Sequence, residues 1–157
     1  MARKQLIRAM ALAAACVLLR GMPARAATVS LSGLIPNICV LTLTTPGTLA
    51  ISTDGTRLSS QESGGNAATL TVVAAGANPG IQFSAPSLNP PGGWSGSPTN
   101  QISYTSPGGA NQAYTSGAST YSMNRLLDTL TIQGRVTSAD GFIAGTYTLT
   151  STATCQQ

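Results

Sequence analysis

The chain has 157 residues, a formal net charge of +4, only 8% charged residues and no histidine. This length suits one domain, and a chain without histidine lacks the usual base of a serine triad and the commonest metal ligand. Five of the eight basic residues precede residue 27, so the rest carries three arginines against four carboxylates, a net charge of −1. Because nucleic acids and acidic membranes are bound by clustered Lys and Arg, the composition predicts neither as a partner.

The N-terminal segment has the three parts of a secretory signal peptide. Basic residues lead into the apolar run Ala9–Leu19, Pro23 follows, and Ala24-Arg25-Ala26 supplies small residues where signal peptidase cuts. The apolar run is too short to span a bilayer as a helix, which takes roughly 20 residues. Residues 1–26 are therefore predicted to be a cleaved signal and residues 27–157 a single domain that is exported: periplasmic, cell-surface or secreted.

A lipid anchor is the alternative reading of the same segment. Leu12–Cys16 loosely resembles a bacterial lipobox, in which the cysteine is lipidated. The apolar run continues past Cys16, and a small alanine, Ala13, stands three residues before it. These features favour Cys16 as an ordinary apolar residue that is removed with the signal.

Short runs of alternating or apolar residues, separated by turn-forming residues, predict nine strands along the domain. Pro-Gly clusters, among them Asn89–Gly93 and Ser106–Gly109, predict loops between them. The predicted strands are Thr28–Ser32, Ile38–Leu43, Thr48–Ile51, Thr69–Ala75, Ile81–Ala85, Ile102–Thr105, Tyr114–Tyr121, Leu126–Thr137 and Gly145–Cys155.

The last two predicted strands show the clearest period of two. In Gly145–Cys155 every second residue is threonine, which predicts one solvated face and one buried face that includes Cys155. In Leu126–Thr137 the apolar parity is interrupted by Asp128 and Gly134, and the glycine suggests a bulge. The short turn-like connection predicts that these two strands are antiparallel neighbours.

No window downstream of the signal shows a helical apolar stripe. About seven to nine short strands in this length predict an all-β fold, an antiparallel β-sandwich, with a closed barrel as the alternative.

Two cysteines remain after the signal is removed, Cys39 and Cys155, one near each end of the domain. In an exported protein this arrangement favours a disulfide. Two free thiols or a metal pair are the rival readings, although the chain has no histidine to complete a metal site.

The two ends of the domain resemble a known class. Asn37-Ile38-Cys39-Val40-Leu41, the following Pro-Gly-Thr-Leu turn and the final Ala144–Thr148 strand are similar to immunoglobulin-like β-sandwich subunits of bacterial cell surfaces, the spore-coat-U-type and pilin-type domains. The resemblance implies an immunoglobulin-like sandwich and a structural role at the cell surface.

The chemistry-bearing residues are few. The four carboxylates, Asp54, Glu62, Asp128 and Asp140, are far apart in sequence, and no phosphate loop or calcium loop is present. We therefore expect no enzyme, no metal and no cofactor.

Two classes of function stay open. The first is a non-enzymatic structural or interaction subunit of the bacterial envelope, which binds itself or other envelope proteins. The second is a soluble glycan-binding module, with Trp94 in its Pro-Pro-Gly-Gly loop as the candidate ligand contact; the rival expectation is that Trp94 folds back to cap the core.

Overall fold

A computed structural model describes residues 30–76 and 79–156. The predicted signal and its cleavage site lie outside these residues, as do Thr28 and Val29 of the first predicted strand, and Ser30–Ser32 form no strand. The compact unit that carries the fold begins at Leu34.

All regular structure in the described residues is β-strand, and every pairing between strands is antiparallel. The predicted all-β antiparallel class is confirmed. The strands are β1 Ile38–Thr45, β2 Ala50–Ile51, β3 Arg57–Ser59, β4 Ala68–Ala75, β5 Gly80–Phe83, β6 Ser87–Asn89, β7 Thr99–Thr105, β8 Asn111–Thr115, β9 Ser119–Ser122, β10 Leu127–Thr137, β11 Thr148–Thr150 and β12 Ala153–Gln156.

The strands form one large sheet and two small ones. The large sheet has the order β1-β4-β10-β3-β2, and β7 lies along the other side of β10 and carries β8. The small sheets have the orders β12-β5-β9 and β11-β6. Within the described residues the sheets are open, as in a β-sandwich, and do not close into a barrel.

The core lies between the inner faces of the sheets. The fully buried side chains include Val72, Leu130, Ile81 and Phe83, which come from both the large and a small sheet. Phe83 stacks on Tyr104 of β7 with ring centroids 4.6 Å apart. The inner parity predicted for Leu126–Thr137 is confirmed at Asp128, Leu130 and Val136, which are buried, whereas Leu126 is exposed. Burial of the apolar members of this face is the main favourable contribution to folding.

The described residues form twelve strands, where about seven to nine were predicted. Of the predicted strand Thr28–Ser32, only Ser30–Ser32 are described and they form no strand, while the short strands β3 and β6 had no clear pattern in the sequence. The predicted strands Tyr114–Tyr121 and Gly145–Cys155 are each divided, into β8 and β9 and into β11 and β12. In both cases the two pieces belong to different sheets, so the chain must bend between them.

The prediction that the last two strands are neighbours is wrong. The neighbours of β10 are β4 and β3 along one side and β7 along the other, and the C-terminal segment pairs with neither side. That segment instead packs across the sandwich, with β11 on β6 and β12 on β5.

Gly134 shows how closely the C-terminal segment packs. The predicted bulge at this residue is wrong, because Gly134 pairs in register with Ile102. A Cβ atom at residue 134 would lie 3.0 Å from Leu149 Cδ2 and 3.2 Å from Leu49 Cδ2. The glycine therefore makes room for two leucine side chains above the sheet.

The structure pairs Cys39 with Cys155, as predicted. Their Cα atoms are 6.2 Å apart, within the range of a disulfide, and the bond joins residues 116 apart in sequence. Cys39 lies on the inner side of β1 and Cys155 on the inner side of β12, both packed against the core. The bond thus links the edge of the large sheet to a small sheet.

We expect reduction of this disulfide to destabilise the domain, because cross-linking so long a loop restricts the unfolded chain. The chain-entropy model gives on the order of 4–5 kcal/mol, and even a loss of about 2 kcal/mol would lower the melting temperature by roughly 6–12 °C. Thermal melts with and without reductant measure the shift. The double variant Cys39→Ala/Cys155→Ala is the control, because reductant should leave its melting temperature unchanged; an equal shift in that variant would contradict the assignment.

Candidate interaction surface

Strand β1 forms an edge of the large sheet and is one of its longest strands. It pairs with β4 from Ile38 to Leu43 in continuous register, and the register shifts between Leu43 and Thr45. Within the described residues no strand pairs with its other side.

The backbone groups that face outward from this edge can be assigned from one hydrogen bond. The N–H of Ala74 donates to the carbonyl of Leu126, 2.9 Å away, so Ala74 faces the β10 side of β4. Because the backbone groups of alternate residues point to opposite sides of a strand, those of Val73 point toward β1 and hydrogen-bond to its partner Val40. The N–H and C=O groups of Cys39, Leu41 and Leu43 therefore point away from the sheet.

The side chains of β1 carry no charge, and most side chains beside this edge are apolar, with Arg125 as a charged exception. On the outer face of the sheet Val40, Val73 and Leu127 stand side by side on three neighbouring strands. Val40 is 54% exposed and Leu127 is 56% exposed. An adjoining shallow cleft is lined by Leu34, Ile35 and Leu126, all of them exposed. Exposed apolar groups that lie together in this way are typical of an interaction surface.

The other sheet edges in the described residues offer much less backbone. On the large sheet β2 has two residues, and β8 has five with an irregular register against β7. The edges of the small sheets are strands of three or four residues. Short edges are a common protection against unwanted pairing, and β1, with eight residues, lacks it.

Trp94 lies in an aromatic cluster with Phe142 and Tyr147, formed where the loop after β6 meets the loop after β10. Its ring stacks on Phe142 with centroids 5.6 Å apart and meets Tyr147 edge-on at 5.6 Å. Its indole N–H donates to the carbonyl of Gly141, 3.1 Å away. A Cβ at Gly96 would come within 2.5 Å of the indole ring. The structure therefore uses Trp94 to hold two loops together, with part of the ring accessible.

An open cleft of about 600 Å³ lies between the large sheet and β11. Leu43, Leu49, Ile132 and Leu149 contribute to its apolar wall. The polar pair in the wall is already engaged, since Ser60 Oγ donates to Gln133 Oε1 at 2.5 Å and accepts from the Gly134 N–H at 3.0 Å. Leu43 joins this cleft to the β1 edge.

Asp128 is a buried carboxylate whose role the sequence did not reveal. Ser106 Oγ donates to Oδ2 at 2.5 Å, the Tyr121 hydroxyl to Oδ2 at 2.7 Å, and the Gly108 N–H to Oδ1 at 3.0 Å. The Thr129 N–H donates to Oδ1 at 2.9 Å. The carboxylate thus organises the Ser106–Ala110 turn between β7 and β8 and ties it to β9.

These contacts set the pKa of the group. Burial raises the pKa of Asp128, but the hydrogen bonds from Ser106, Tyr121 and the two backbone N–H groups outweigh it and hold the pKa below its usual range. Burial, followed by the hydrogen bond to Asp128, raises the pKa of Tyr121.

The other predicted functional elements are dispersed. No group of three or more His, Cys, Asp or Glu residues that could hold a metal occurs in the described residues. Asp54 caps a turn, where hydrogen bonds from Ser52 and then the Thr56 backbone lower its pKa to about 2. Arg57 donates to Glu62, with Nε–Oε1 2.8 Å. These contacts give Asp54, Glu62 and Asp128 structural partners.

Comparison with protein-family models, with curated proteins and with solved structures finds no match. Among the residues that the structure describes, no helix is long and apolar enough to cross a membrane.

We expect loss of the Asp128 carboxylate to destabilise the domain. The variant Asp128→Ala leaves the Gly108 N–H and the Tyr121 hydroxyl without an acceptor, at a cost of about 2–3 kcal/mol. Chemical denaturation measures the free energy of unfolding, and Asp140→Ala, at an exposed turn residue, is the matched control that should change it little.

The Asp128 carboxylate should make part of the domain's stability sensitive to acid. Because the pKa of Asp128 is lower in the folded than in the unfolded chain, its stabilisation is present above the unfolded value and is lost as the pH falls through the folded value. Asp128→Asn should therefore lose less stability than wild type between about pH 5 and pH 2. The pH profile of Asp54→Asn is measured for comparison, since the pKa of Asp54 is also lowered, to about 2. Equal pH profiles for wild type and Asp128→Asn would contradict this role.

Proposed function

We propose that this chain is a non-enzymatic exported subunit of the bacterial cell envelope or surface, which works by associating with a protein through its open β1 edge. The observation that carries the proposal is the combination at this edge of outward backbone groups, uncharged side chains and neighbouring exposed apolar residues. An exposed sheet edge recognises another β-strand through main-chain hydrogen bonds, and flanking apolar side chains add affinity.

Export is the second part of the proposal. A disulfide between Cys39 and Cys155 fits an oxidising compartment outside the cytoplasm. The signal-like segment of residues 1–26 supports the same compartment. With the leader removed, the chain has few charges of either sign, which suits protein contacts better than binding to charged polymers.

The glycan-binding alternative draws less support from the geometry. A sugar-stacking tryptophan presents an open ring face and free polar groups, whereas Trp94 stacks on Phe142 and its N–H is bound to Gly141. At the β1 edge, by contrast, no strand of the described residues pairs with the outward backbone groups of Cys39, Leu41 and Leu43.

The test is recovery of the protein from its native envelope under non-reducing conditions. We expect an intact mass that begins at Ala27, within a residue or two, and a native size larger than one chain. A monomer released into the medium without any partner would contradict the proposed role. A mature chain that begins at a lipidated Cys16 would contradict the predicted cleavage before Ala27 and place the protein on a membrane.

A further inference from the structure

Strand β1 can pair with a second copy of itself in register. Its three outward residues, Cys39, Leu41 and Leu43, are evenly spaced about Leu41, and each offers one N–H and one C=O. Two such strands, laid antiparallel with Leu41 facing Leu41, would place the outward groups of Cys39 opposite those of Leu43.

We infer that the partner at this edge is a second copy of this chain, whose β1 pairs antiparallel with the first about a two-fold axis at Leu41. The inference rests on the proposed function, because it names the partner for the same edge. In an antiparallel ladder the Leu41 pair and the two Cys39–Leu43 pairs would each exchange two bonds, about six in all. The two large sheets would then become one continuous sheet across the axis.

The side chains fit this register. Val40 would stand opposite Thr42 of the second copy on the outer face, a pair of β-branched residues that suits a pleated surface. On the inner face Leu43, now 58% exposed, would be covered by the strand that carries Cys39 of the second copy. The apolar residues beside the edge would come close to the new interface and lose contact with water.

Charge supports a second copy over a charged partner. The eight residues of β1 contain no Lys, Arg, Asp or Glu, so two identical strands approach without repulsion. The strand also has no proline, and its irregular register begins only beyond Leu43. Charged residues, proline and bulges are the features by which natural edge strands avoid self-pairing. The part of β1 from Ile38 to Leu43 has none of them.

The disulfide holds the strand in place for this pairing. Cys39 is bonded to Cys155 through its inner side chain, which leaves its backbone groups on the open side. The edge is thereby fixed in extended form before association, so pairing orders little further chain, which favours affinity.

The first experiment measures oligomeric state by sedimentation equilibrium of the disulfide-bonded domain, residues 27–157, over a wide concentration range. Wild type should be a monomer–dimer equilibrium. Val40→Lys, a change at an exposed outer position, should weaken dimerisation at least about tenfold, since the two lysines would lie diagonally across the axis on the same face, within a Debye length of each other. Thr120→Lys, at an exposed position on β9, which is an edge of a small sheet, is the matched control and should dimerise like wild type.

The second experiment tests the register without adding charge. Val40→Cys and Thr42→Cys are prepared separately, with peptide mapping to verify that Cys39–Cys155 is retained, and are then mixed under mild oxidation. Residues 40 and 42 form a non-hydrogen-bonded pair in the proposed register, with Cα atoms about 4.5 Å apart, which a disulfide can bridge. The mixture should cross-link readily, and each variant alone at least about tenfold more slowly, because its own two cysteines would be separated by more than about 7 Å.

A wild-type domain that stays monomeric at millimolar concentration would overturn the inference, as would an undiminished dimer in Val40→Lys. Cross-linking of either single variant as fast as the mixture would overturn the register. These failures are distinguishable from failure of the proposed function: a monomeric domain that is nevertheless recovered from the envelope bound to another protein removes the second copy but keeps the interaction role.

Discussion

The disulfide between Cys39 and Cys155 is the constraint on which the architecture of this domain most depends. The first strand of the large sheet and the last strand of a small sheet are both at edges, and the chain between them runs through every other strand. An edge strand held only by its hydrogen bonds to one neighbour can fray or exchange. Here the covalent bond closes the sandwich along one side, so that the inner face of β1 remains against the core while its outer edge stays accessible.

The interior depends on β10, the longest strand at eleven residues. It is the only described strand that pairs with three others, and its Leu130 and Val136 side chains are fully buried. The two exceptions to its apolar inner parity have separate physical roles. Asp128 supplies a carboxylate that satisfies buried donors in the β7–β8 turn, and Gly134 leaves space for Leu149. The polar residue and the glycine on the inner face of β10 therefore each have a structural role in this fold.

The class of fold and the positions of the main strands could be predicted from the sequence, because burial imposes a period of two on β4, β10 and the C-terminal segment. The disulfide could also be predicted, since two cysteines downstream of a signal-like segment favour one bond between them. The pairing of strands could not. The threonine alternation of residues 145–155 continues across the bend after Thr150, so nothing local marks where the chain passes from β6 to β5 as its partner.

The interaction surface was equally hidden from the sequence. The alternation in β1 looks like that of any half-buried strand, and only the topology shows that it lies at an edge with Cys39, Leu41 and Leu43 facing outward. The role of Asp128 depends on Ser106 and Tyr121, which are brought to it by tertiary pairing. Trp94 was expected either to cap the core or to meet a ligand, and the structure shows it bonded to Gly141 and stacked on Phe142.

The central claim is that β1 is an open edge that a second copy can occupy, and amide hydrogen exchange measured residue by residue tests it most directly. In dilute solution the amides of Val40 and Thr42, which face β4, should be protected, while those of Leu41 and Leu43 should exchange rapidly. At high concentration Leu41 and Leu43 should become protected in parallel with dimer formation, and the Val40→Lys variant should lose that gain. Strong protection of Leu41 and Leu43 in the dilute monomer, or no change with concentration, would contradict the account.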